Sequence, residues 1–248
     1  MTGYLHAGPL PTGVHAIGSE PVNAWAFADE GRVTVVDTGL PGRADELRGK
    51  LATAGFEPTD VAAVILTHSD SDHTGGAPGL AEGGATIQIH EDDLETLHKP
   101  RAKGGDGKPI HLLPYLRSKH FRRFMVAMMK GGKPAKVTGA ETFADGAVLD
   151  VPGSPRVIHT PGHTAGHCCF AFEQHAVLVA GDALCSLNPL TGGAGPQVMP
   201  KAVNVDYEQC FRSLEALREV EASTVLFGHG QAFSGTPAEA VDQALAAR

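Results

Sequence analysis

The stretch "VILTHSDSDHTGG" at residues 64–76 places four polar side chains directly after an apolar run. Two histidines and two aspartates fall within six residues, namely His68, Asp70, Asp72 and His73. A continuous apolar run bounded by polar residues is typical of a buried strand, so we expect this cluster where a strand ends. Imidazole and carboxylate are ligands of divalent metal ions. The stretch therefore suggests part of a metal site.

Two other interpretations of the same stretch have to be weighed. Asp70 and Asp72 are spaced like the start of a calcium-binding loop, but the twelfth position of that loop is Ala81 instead of glutamate. The predicted leading element is also a strand instead of a helix. Alternatively, the aspartates and serines could form an ordinary polar turn that caps a following helix.

Three further polar motifs follow predicted strands far along the chain. They are His163 in "TPGHTAGH", Asp182 in "VAGDAL" and His229 in "FGHG". Each motif alone is weak, because such residues are common in turns. Adjacent residues of the first cluster cannot all point at one ion, but they can supply two ions about 3.5–4 Å apart. The remote motifs would complete both ligand sets, and a carboxylate is well suited to bridge the ions.

Apolar patterning predicts two strand-rich halves that each carry helices. Strands are predicted at residues 22–29, 32–39, 61–67, 85–90, 147–151, 155–160, 168–173, 176–182 and 223–230. Helices are predicted at residues 42–56, 91–98, 206–220 and 236–248.

The composition favours one globular protein over residues 1–248. Of the 248 residues, 42% are hydrophobic, which is enough for a substantial core. No run of eighteen apolar residues and no signal-peptide pattern is evident, and the four cysteines show no disulfide-framework spacing. We therefore expect a cytoplasmic protein with reduced thiols and no membrane span. The net charge of −8 argues against nucleic acid as a partner.

A basic segment at about residues 99–136 interrupts the pattern. It holds eleven Lys or Arg and one acid, a balance of +10, so the remainder of the chain carries −18. Its apolar residues approximate helical spacing, with basic residues between them: Leu112, Leu113, Leu116, Phe121, Phe124, Met125 and Met128. The segment could be a helical insertion with a solvated basic face, a lid over a cleft for an acyl or anionic substrate, or a membrane-surface contact.

Taken together, the motifs resemble the metallo-β-lactamase superfamily. The matching residues are "VVDTG" with Asp37, "THSDSDHTGG", "TPGHTAGH", the aspartate at 182 and "GHG" at 229, which span residues 36–230. The resemblance implies an α+β fold, a four-layer αββα sandwich with metals in a cleft at one edge of the paired sheets. It also implies two ligand sets with a bridge: His68, Asp70 and His163; Asp72, His73 and His229; and Asp182 between them. Asp37 would orient the first cluster.

One position departs from the usual pattern of this superfamily. Asp70 stands where most members have histidine, although the di-iron branch also carries a carboxylate there. An added oxygen ligand shifts preference from zinc towards iron or manganese. We expect two divalent ions, with zinc as the first choice and iron or manganese as alternatives.

The activity that the resemblance implies is hydrolysis of a carbonyl substrate by a metal-bound hydroxide. The small-molecule substrate would be a lactone, ester, thioester or β-lactam-like compound, and Asp72 would orient the hydroxide or carry a proton. His167, Lys201 and Tyr207 are candidates for indirect support of the ligands or for substrate contact. The alternatives are an iron-dependent redox enzyme, resembling the di-iron or persulfide dioxygenase branches, and a non-catalytic member that binds a metal or ligand.

Overall fold

The computed structural model describes residues 9–99, 109–133 and 136–248. Residues 100–108 and 134–135 of the predicted basic segment, and residues 1–8 of the stretch searched for a signal peptide, lie outside the described residues. The prediction of a single domain over residues 1–248 stays a prediction.

Strands and helices alternate along the described chain. The strands are β1 (Val14–Ala16), β2 (Trp25–Asp29), β3 (Arg32–Val36), β4 (Val61–Ile65), β5 (Thr86–His90), β6 (Glu141–Phe143), β7 (Arg156–His159), β8 (Cys168–Phe172), β9 (Val177–Gly181), β10 (Cys185–Leu187), β11 (Ala194–Gln197), β12 (Thr224–Phe227) and β13 (Phe233–Ser234). The helices are α1 (Ala44–Thr53), α2 (Ser71–Thr74), α3 (Ala77–Ala81), α4 (Glu91–His98), α5 (Lys119–Gly131), α6 (Tyr207–Ser213) and α7 (Pro237–Ala246). Short 3-10 helices lie at Pro58–Asp60, Pro109–Tyr115, Glu173–His175, Lys201–Val203 and Leu214–Leu217.

Two mixed sheets carry the fold. The first has the order β1-β2-β3-β4-β5-β6, in which β3 to β6 run parallel. The second has the order β13-β12-β9-β8-β7, in which β9 and β12 are parallel and the other pairs are antiparallel. Strands β10 and β11 form a separate hairpin.

The core between the sheets follows from the two-residue alternation of strand side chains. In β2, Trp25 and Phe27 face the second sheet, where Phe170 and Phe172 of β8 meet them. Ala26, between the two aromatic residues, points to the opposite face, under the helices. The aromatic residues of β2 and β8 therefore pack between the two sheets.

Helices cover both outer faces of the paired sheets. Leu47 and Leu51 of α1 pack on the first sheet together with residues of α3 and α4. On the second sheet, Phe211 of α6 and Val241 of α7 pack with residues of β8, β9 and β12. These layers confirm the predicted α+β fold, a four-layer αββα sandwich.

The strand ends gather the polar motifs at one edge. The first cluster follows β4, Asp182 follows β9 directly, and His229 lies two residues after β12. His163 lies in the loop between β7 and β8. Because β9 and β12 are parallel neighbours, their carboxyl ends meet at the same edge of the sheet.

Two secondary-structure predictions were wrong. Residues 147–151 form no strand but only an isolated bridge between Val148 and Arg156, because Pro152 has no N–H to donate and a turn follows it. The predicted helix at 206–220 is α6 followed by a 3-10 helix, Leu214–Leu217. Its predicted apolar face is nevertheless buried, since Phe211 packs in the outer core with the leucines of that turn.

Candidate metal centre

One carboxylate oxygen lies among four imidazoles at the sheet edge. Oδ2 of Asp182 is 3.3 Å from Nε2 of His229, 3.4 Å from that of His73, 3.6 Å from that of His163 and 3.9 Å from that of His68. Asp182 is 3% exposed, and the four histidines are at least as deeply buried. The five residues come from four separate loops, so only the fold brings them together.

Two more carboxylates complete the cluster from opposite sides. Oδ2 of Asp70 is 3.1 Å from Nε2 of His163 and 3.4 Å from Nε2 of His68. Oδ2 of Asp72 is 3.8 Å from Nε2 of both His73 and His229. The seven sequence-predicted ligand candidates therefore form two groups that share Asp182.

Asp37 and Thr67 orient two of the imidazoles. Oδ2 of Asp37 lies 2.8 Å from Nδ1 of His73 and accepts a hydrogen bond from Oγ1 of Thr67. Nδ1 of His68 lies 2.9 Å from the same hydroxyl. Because Thr67 donates to Asp37, its oxygen is left to accept from His68. Both rings thereby present Nε2 to the centre. Asp37 adopts a left-handed backbone conformation, φ +58°, which Asp tolerates better than most residues.

The other two imidazoles are held in the same tautomer by different partners. Nδ1 of His163 lies 2.9 Å from Oδ1 of Asn204, and Nδ1 of His229 lies 2.9 Å from the carbonyl oxygen of Pro21. The Asn204 amide in turn donates to the carbonyl of Met199. Metal-ligating histidines in proteins are generally fixed through their second ring nitrogen in this way.

The helix-capping interpretation of the first cluster was wrong. Asp70 occupies the position before α2 where a capping residue would stand, but its side chain makes no capping hydrogen bond. The carboxylate turns instead towards His68 and His163. A helix of four residues follows, so Asp72 and His73 lie on its first turn and both are buried.

Buried atoms without partners show that the residues fit a metal. Among the described residues, Nε2 of His68, Nε2 of His73 and Oδ1 of Asp182 are buried and make no hydrogen bond. Unpartnered buried polar atoms are costly, so a cluster of them points to an ion. Donors bonded at about 2.1 Å to one tetrahedral or octahedral ion lie about 3.0–3.5 Å apart. The observed separations of 3.1–3.9 Å approach that range.

Burial and neighbouring charges shift the pKa values of the histidines in this cluster in opposite directions. Burial lowers the pKa of His68, and the neighbouring His73 lowers it further. Burial opposes protonation of His73 as well, but the carboxylates of Asp182 and Asp37 outweigh it and raise the pKa well above the ordinary value. Likewise, burial opposes ionisation of Asp182, yet His229 and His73 hold its pKa well below the ordinary value. The cluster therefore carries protons that a metal ion would displace.

His167 supports the centre from behind. Its Nε2 accepts a hydrogen bond from the backbone N–H of Asp182, and its Nδ1 lies 2.8 Å from Oγ1 of Thr160. Burial and the nearby His68 lower its pKa well below the ordinary value, so the ring stays neutral. With both nitrogens engaged, His167 has no lone pair left for a metal and fixes the backbone of the central carboxylate.

The two remaining candidates lie apart from the ligands. Lys201 is exposed on a 3-10 helix, and Tyr207, the first residue of α6, packs edge-to-face on Phe211 of the same helix. Neither side chain is among those that line the cleft described below.

Asp93 is a residue that the sequence reasoning missed. In the sequence it is one of three acids in the first turn of α4, where negative charge ordinarily complements the helix dipole. In the structure its buried carboxylate accepts from the N–H of Ser69 and from the N–H of Gly166, both at 2.8 Å. Asp93 thereby ties the first-cluster loop to the loop of His163. No spacing in the sequence indicates this link, and none indicates Asn204.

A cleft of about 360 Å³ opens onto the metal-ligand candidates. Asp70, Asp72, His163, Asp182 and His229 lie at one end of it. Leucine, phenylalanine, methionine, proline and valine side chains form much of the remaining wall, several of them from α5 of the basic segment. This volume is in the range of small-molecule sites.

Comparison with known sequences settles the family. The sequence profile of the metallo-beta-lactamase superfamily matches residues 17–229, which include every ligand candidate. The chain belongs to the metallo-beta-lactamase superfamily. The resemblance that the motifs indicated is thereby confirmed.

No helix among the described residues is long and apolar enough to cross a membrane.

Relatives in this superfamily differ in what is known of them. The uncharacterized protein YobT of Bacillus subtilis (strain 168) is 28% identical over 244 residues, covering 91% of this chain and 89% of that protein. The atrochrysone carboxyl ACP thioesterase dmxR1 of Cryptosporiopsis sp. is 24% identical over 182 residues, covering 69% of this chain and 43% of the thioesterase. This chain thus spans less than half of that relative's length.

Among solved structures, the metallo-beta-lactamase family protein TTHA1429 from Thermus thermophilus is similar throughout. It superposes with a TM-score of 0.66 at 25% identity, covering 93% of this chain and 77% of that chain. The fold is therefore shared with a solved member of the superfamily.

Proposed function

We propose that this protein is a metal-dependent hydrolase that cleaves a lactone, ester or thioester at the centre around Asp182. One observation carries the proposal: Oδ2 of Asp182 lies 3.3–3.9 Å from Nε2 of four histidines. Asp70 and Asp72 flank it on either side, and the cluster opens onto a cleft of small-molecule size.

The donor set fits two divalent ions. His68, Asp70 and His163 would hold one, Asp72, His73 and His229 would hold the other, and Asp182 would bridge them. Zinc is the first choice for so many imidazoles, and the carboxylate of Asp70 makes iron or manganese the alternatives. Such ions supply Lewis acidity at a carbonyl oxygen and make attack by water feasible at neutral pH.

Asp72 is the chain's own candidate for proton transfer. It lies at the boundary between the histidines and the cleft, and 11% of its side chain is exposed. Its carboxylate lies close to the histidines and also faces the cleft where a substrate would bind. It can therefore accept a proton from the attacking water and donate it to the leaving group. Asp182 also lines the cleft but is only 3% exposed, so Asp72 is the more accessible of the two carboxylates.

The carbonyl chemistry has support from the relatives. One relative that matches 69% of this chain is named an acyl carrier protein thioesterase, and a thioester is the carbonyl compound that it would cleave. The match covers under half of that enzyme, so its substrate is not carried over. The name of this relative supports only the class of reaction, hydrolysis at a carbonyl carbon.

The test is metal-dependent hydrolysis by the purified protein on lactone, ester, thioester and β-lactam substrates. Asp72→Asn should lower kcat per bound metal ion at least about 100-fold, the usual scale of a proton-transfer group, and elemental analysis of the same variant separates this effect from any loss of metal, because Asp72 is also a ligand candidate. Asp45→Asn is a matched control, because Asp45 is a surface carboxylate with a 98% exposed side chain. A panel without turnover in the metal-loaded protein would overturn the proposal.

A second candidate, an iron-dependent redox enzyme, rests on Asp70. His68, His163 and Asp70 make a set of two histidines and one carboxylate, the ligand type of many non-haem iron oxygenases. Iron in the protein as isolated, together with oxygen uptake in the presence of a persulfide, would favour this candidate. A protein that binds metal but shows neither activity would be a binding member of the superfamily.

A further inference from the structure

We propose that the cleft binds an uncharged acyl chain of up to about ten carbons, so that the substrate is a fatty-acyl ester, thioester or lactone. The inference rests on the proposed hydrolysis and adds the class of acyl group. A methylene group fills about the volume of one water, ~30 Å³. A cleft of about 360 Å³ therefore takes a chain of this length together with the reacting group.

The cleft is polar at one end only. The metal-ligand candidates form that end, and the walls beyond them are built largely of apolar side chains, among them Leu112, Phe121, Phe124, Met128, Leu190 and Met199. A long apolar wall that leads away from a reactive centre matches a substrate whose polar carbonyl is followed by hydrocarbon. The exposed apolar area of such a chain is what the walls would remove from water.

Helix α5 supplies one whole wall through its spacing. Phe121, Phe124, Met125 and Met128 recur at intervals of three and four residues, so they lie on one face of the helix and line the cleft. The ring of Phe124 lies 5.8 Å from the ring of His229, measured between centroids. The apolar wall thus reaches the metal-ligand candidates directly.

The same helix is held in place at both of its ends. Phe121 is buried in a small apolar cluster with Leu190 and Ala202. Near the other end, the backbone of Gly131 lies so close to Pro41 that an added Cβ would be 2.8 Å from the Pro41 carbonyl oxygen. The wall is therefore a fixed part of the cleft, and its shape limits the chain that it can take.

The described lining of this cleft lacks the basic side chains that an anionic substrate would need. Among the described lining residues there is no lysine and no arginine, and the carboxylates present belong to the metal-ligand group. The basic residues Lys119, Arg122 and Arg123 of α5 are exposed instead. A substrate with a carboxylate at the far end of its acyl chain would place that charge among apolar side chains, away from the metal-ligand candidates and from any lining lysine or arginine, which is costly.

The expected size of the effect follows from burial of hydrocarbon. Each methylene that enters an apolar site strengthens binding about fourfold until the site is full. Binding and kcat/KM should therefore rise about fourfold per carbon along a homologous series and level off near ten carbons. A terminal carboxylate on the same chain should abolish the gain.

Two measurements on the metal-loaded protein test this. Calorimetric titration with uncharged N-acyl amides from butanoyl to decanoyl gives binding without turnover. Hydrolysis of the matching acyl thioesters gives kcat/KM. Met128→Ala and Met129→Ala are a matched pair, because Met128 lines the cleft whereas Met129, its neighbour on α5, is 75% exposed and does not.

The expected result is a steep chain-length dependence in both measurements. Met128→Ala should reduce the gain to about twofold per methylene for the distal carbons, and Met129→Ala should leave it at about fourfold. A flat binding series in the wild type, or equal effects of the two variants, overturns the inference. Steep binding without hydrolysis of any acyl thioester, ester or lactone overturns the proposed function and leaves the acyl-chain site standing. Hydrolysis without chain-length dependence supports the proposed function and overturns the acyl-chain site.

Discussion

Replacing Asp37 by Asn should weaken metal binding without disturbing the fold. The carboxylate accepts three hydrogen bonds, from the N–H of Thr67, the hydroxyl of Thr67 and Nδ1 of His73. Asparagine tolerates the left-handed backbone at this position as well as aspartate does, so the loop can keep its shape. The change therefore removes the charge and the acceptor of the His73 hydrogen bond while keeping the shape of the loop.

The magnitude follows from the geometry of those bonds. If the asparagine oxygen keeps the N–H of Thr67, the amide N–H₂ faces Nδ1 of His73, which is itself a donor in the wild type. His73 must then move its proton to Nε2, the atom that points at Asp182 from 3.4 Å. A hydrogen bond to a charged group contributes about 1.5–3 kcal/mol, so metal affinity should fall about 10- to 150-fold.

Competition with a chromophoric chelator measures this affinity for zinc and manganese, with circular dichroism as the check on folding. Asp45→Asn serves as the control, since it removes the same charge from an exposed site. An Asp37→Asn protein that is folded and binds metal within about twofold of the wild type would refute the idea that Asp37 fixes the tautomer of His73.

Three further predictions concern packing and protonation. Gly228→Ala should cost most of the bound metal, because its Cβ would lie 2.1 Å from Oδ1 of Asp182, whereas Gly49→Ala, whose Cβ meets nothing within 4 Å, should keep full metal content by elemental analysis. Metal binding should release protons and tighten as pH rises above about 6.5, because the pKa of His73 is raised and its proton must leave. Calorimetry in buffers of different ionisation enthalpy measures the number of protons released per bound ion, and a value of zero would contradict the prediction. Burial raises the pKa of Cys169 to about 12, whereas a thiol in the unfolded chain ionises near about 8.5. The stability that the neutral buried thiol contributes is therefore complete below about pH 8.5 and falls by up to about 1.4 kcal/mol per pH unit above it. Urea unfolding at pH 8 and 10 should show a smaller decrease in the free energy of unfolding for Cys169→Ala than for the wild type, and an equal decrease would contradict the prediction.

The clustering of the ligand candidates could be predicted from the sequence because each of them follows an apolar strand in a recognisable motif. Strand periodicity predicts that His68, Asp182 and His229 follow strands. The parallel pairing of β9 and β12 then brings Asp182 and His229 to the same edge of the sheet. Asp70 is the instructive case, since a helix cap and a metal ligand use the same residue in the same position. Only the three-dimensional arrangement turns its carboxylate towards His163.

Two of the supporting residues, Asn204 and Asp93, could not be predicted, because their partners are remote and their motifs are ordinary. Asn204 meets His163 across 41 positions of sequence, and Asp93 spans two loops from the first turn of a helix. The strand predicted at 147–151 was wrong for a different reason. Its apolar pattern does face a core, through Leu149 and Val151, and its backbone bonds to residues 155–157, but Pro152 and the turn after it limit the pairing to one bridge.

The most direct test of the proposed centre is the metal content of the purified protein. After dialysis against micromolar zinc or manganese and then metal-free buffer, elemental analysis should find two ions per chain in the wild type, and one or none in Asp182→Asn. Two ions in both proteins would remove Asp182 from its bridging place. A wild-type chain that retains no ion would contradict the metal centre itself, and with it the proposed hydrolysis.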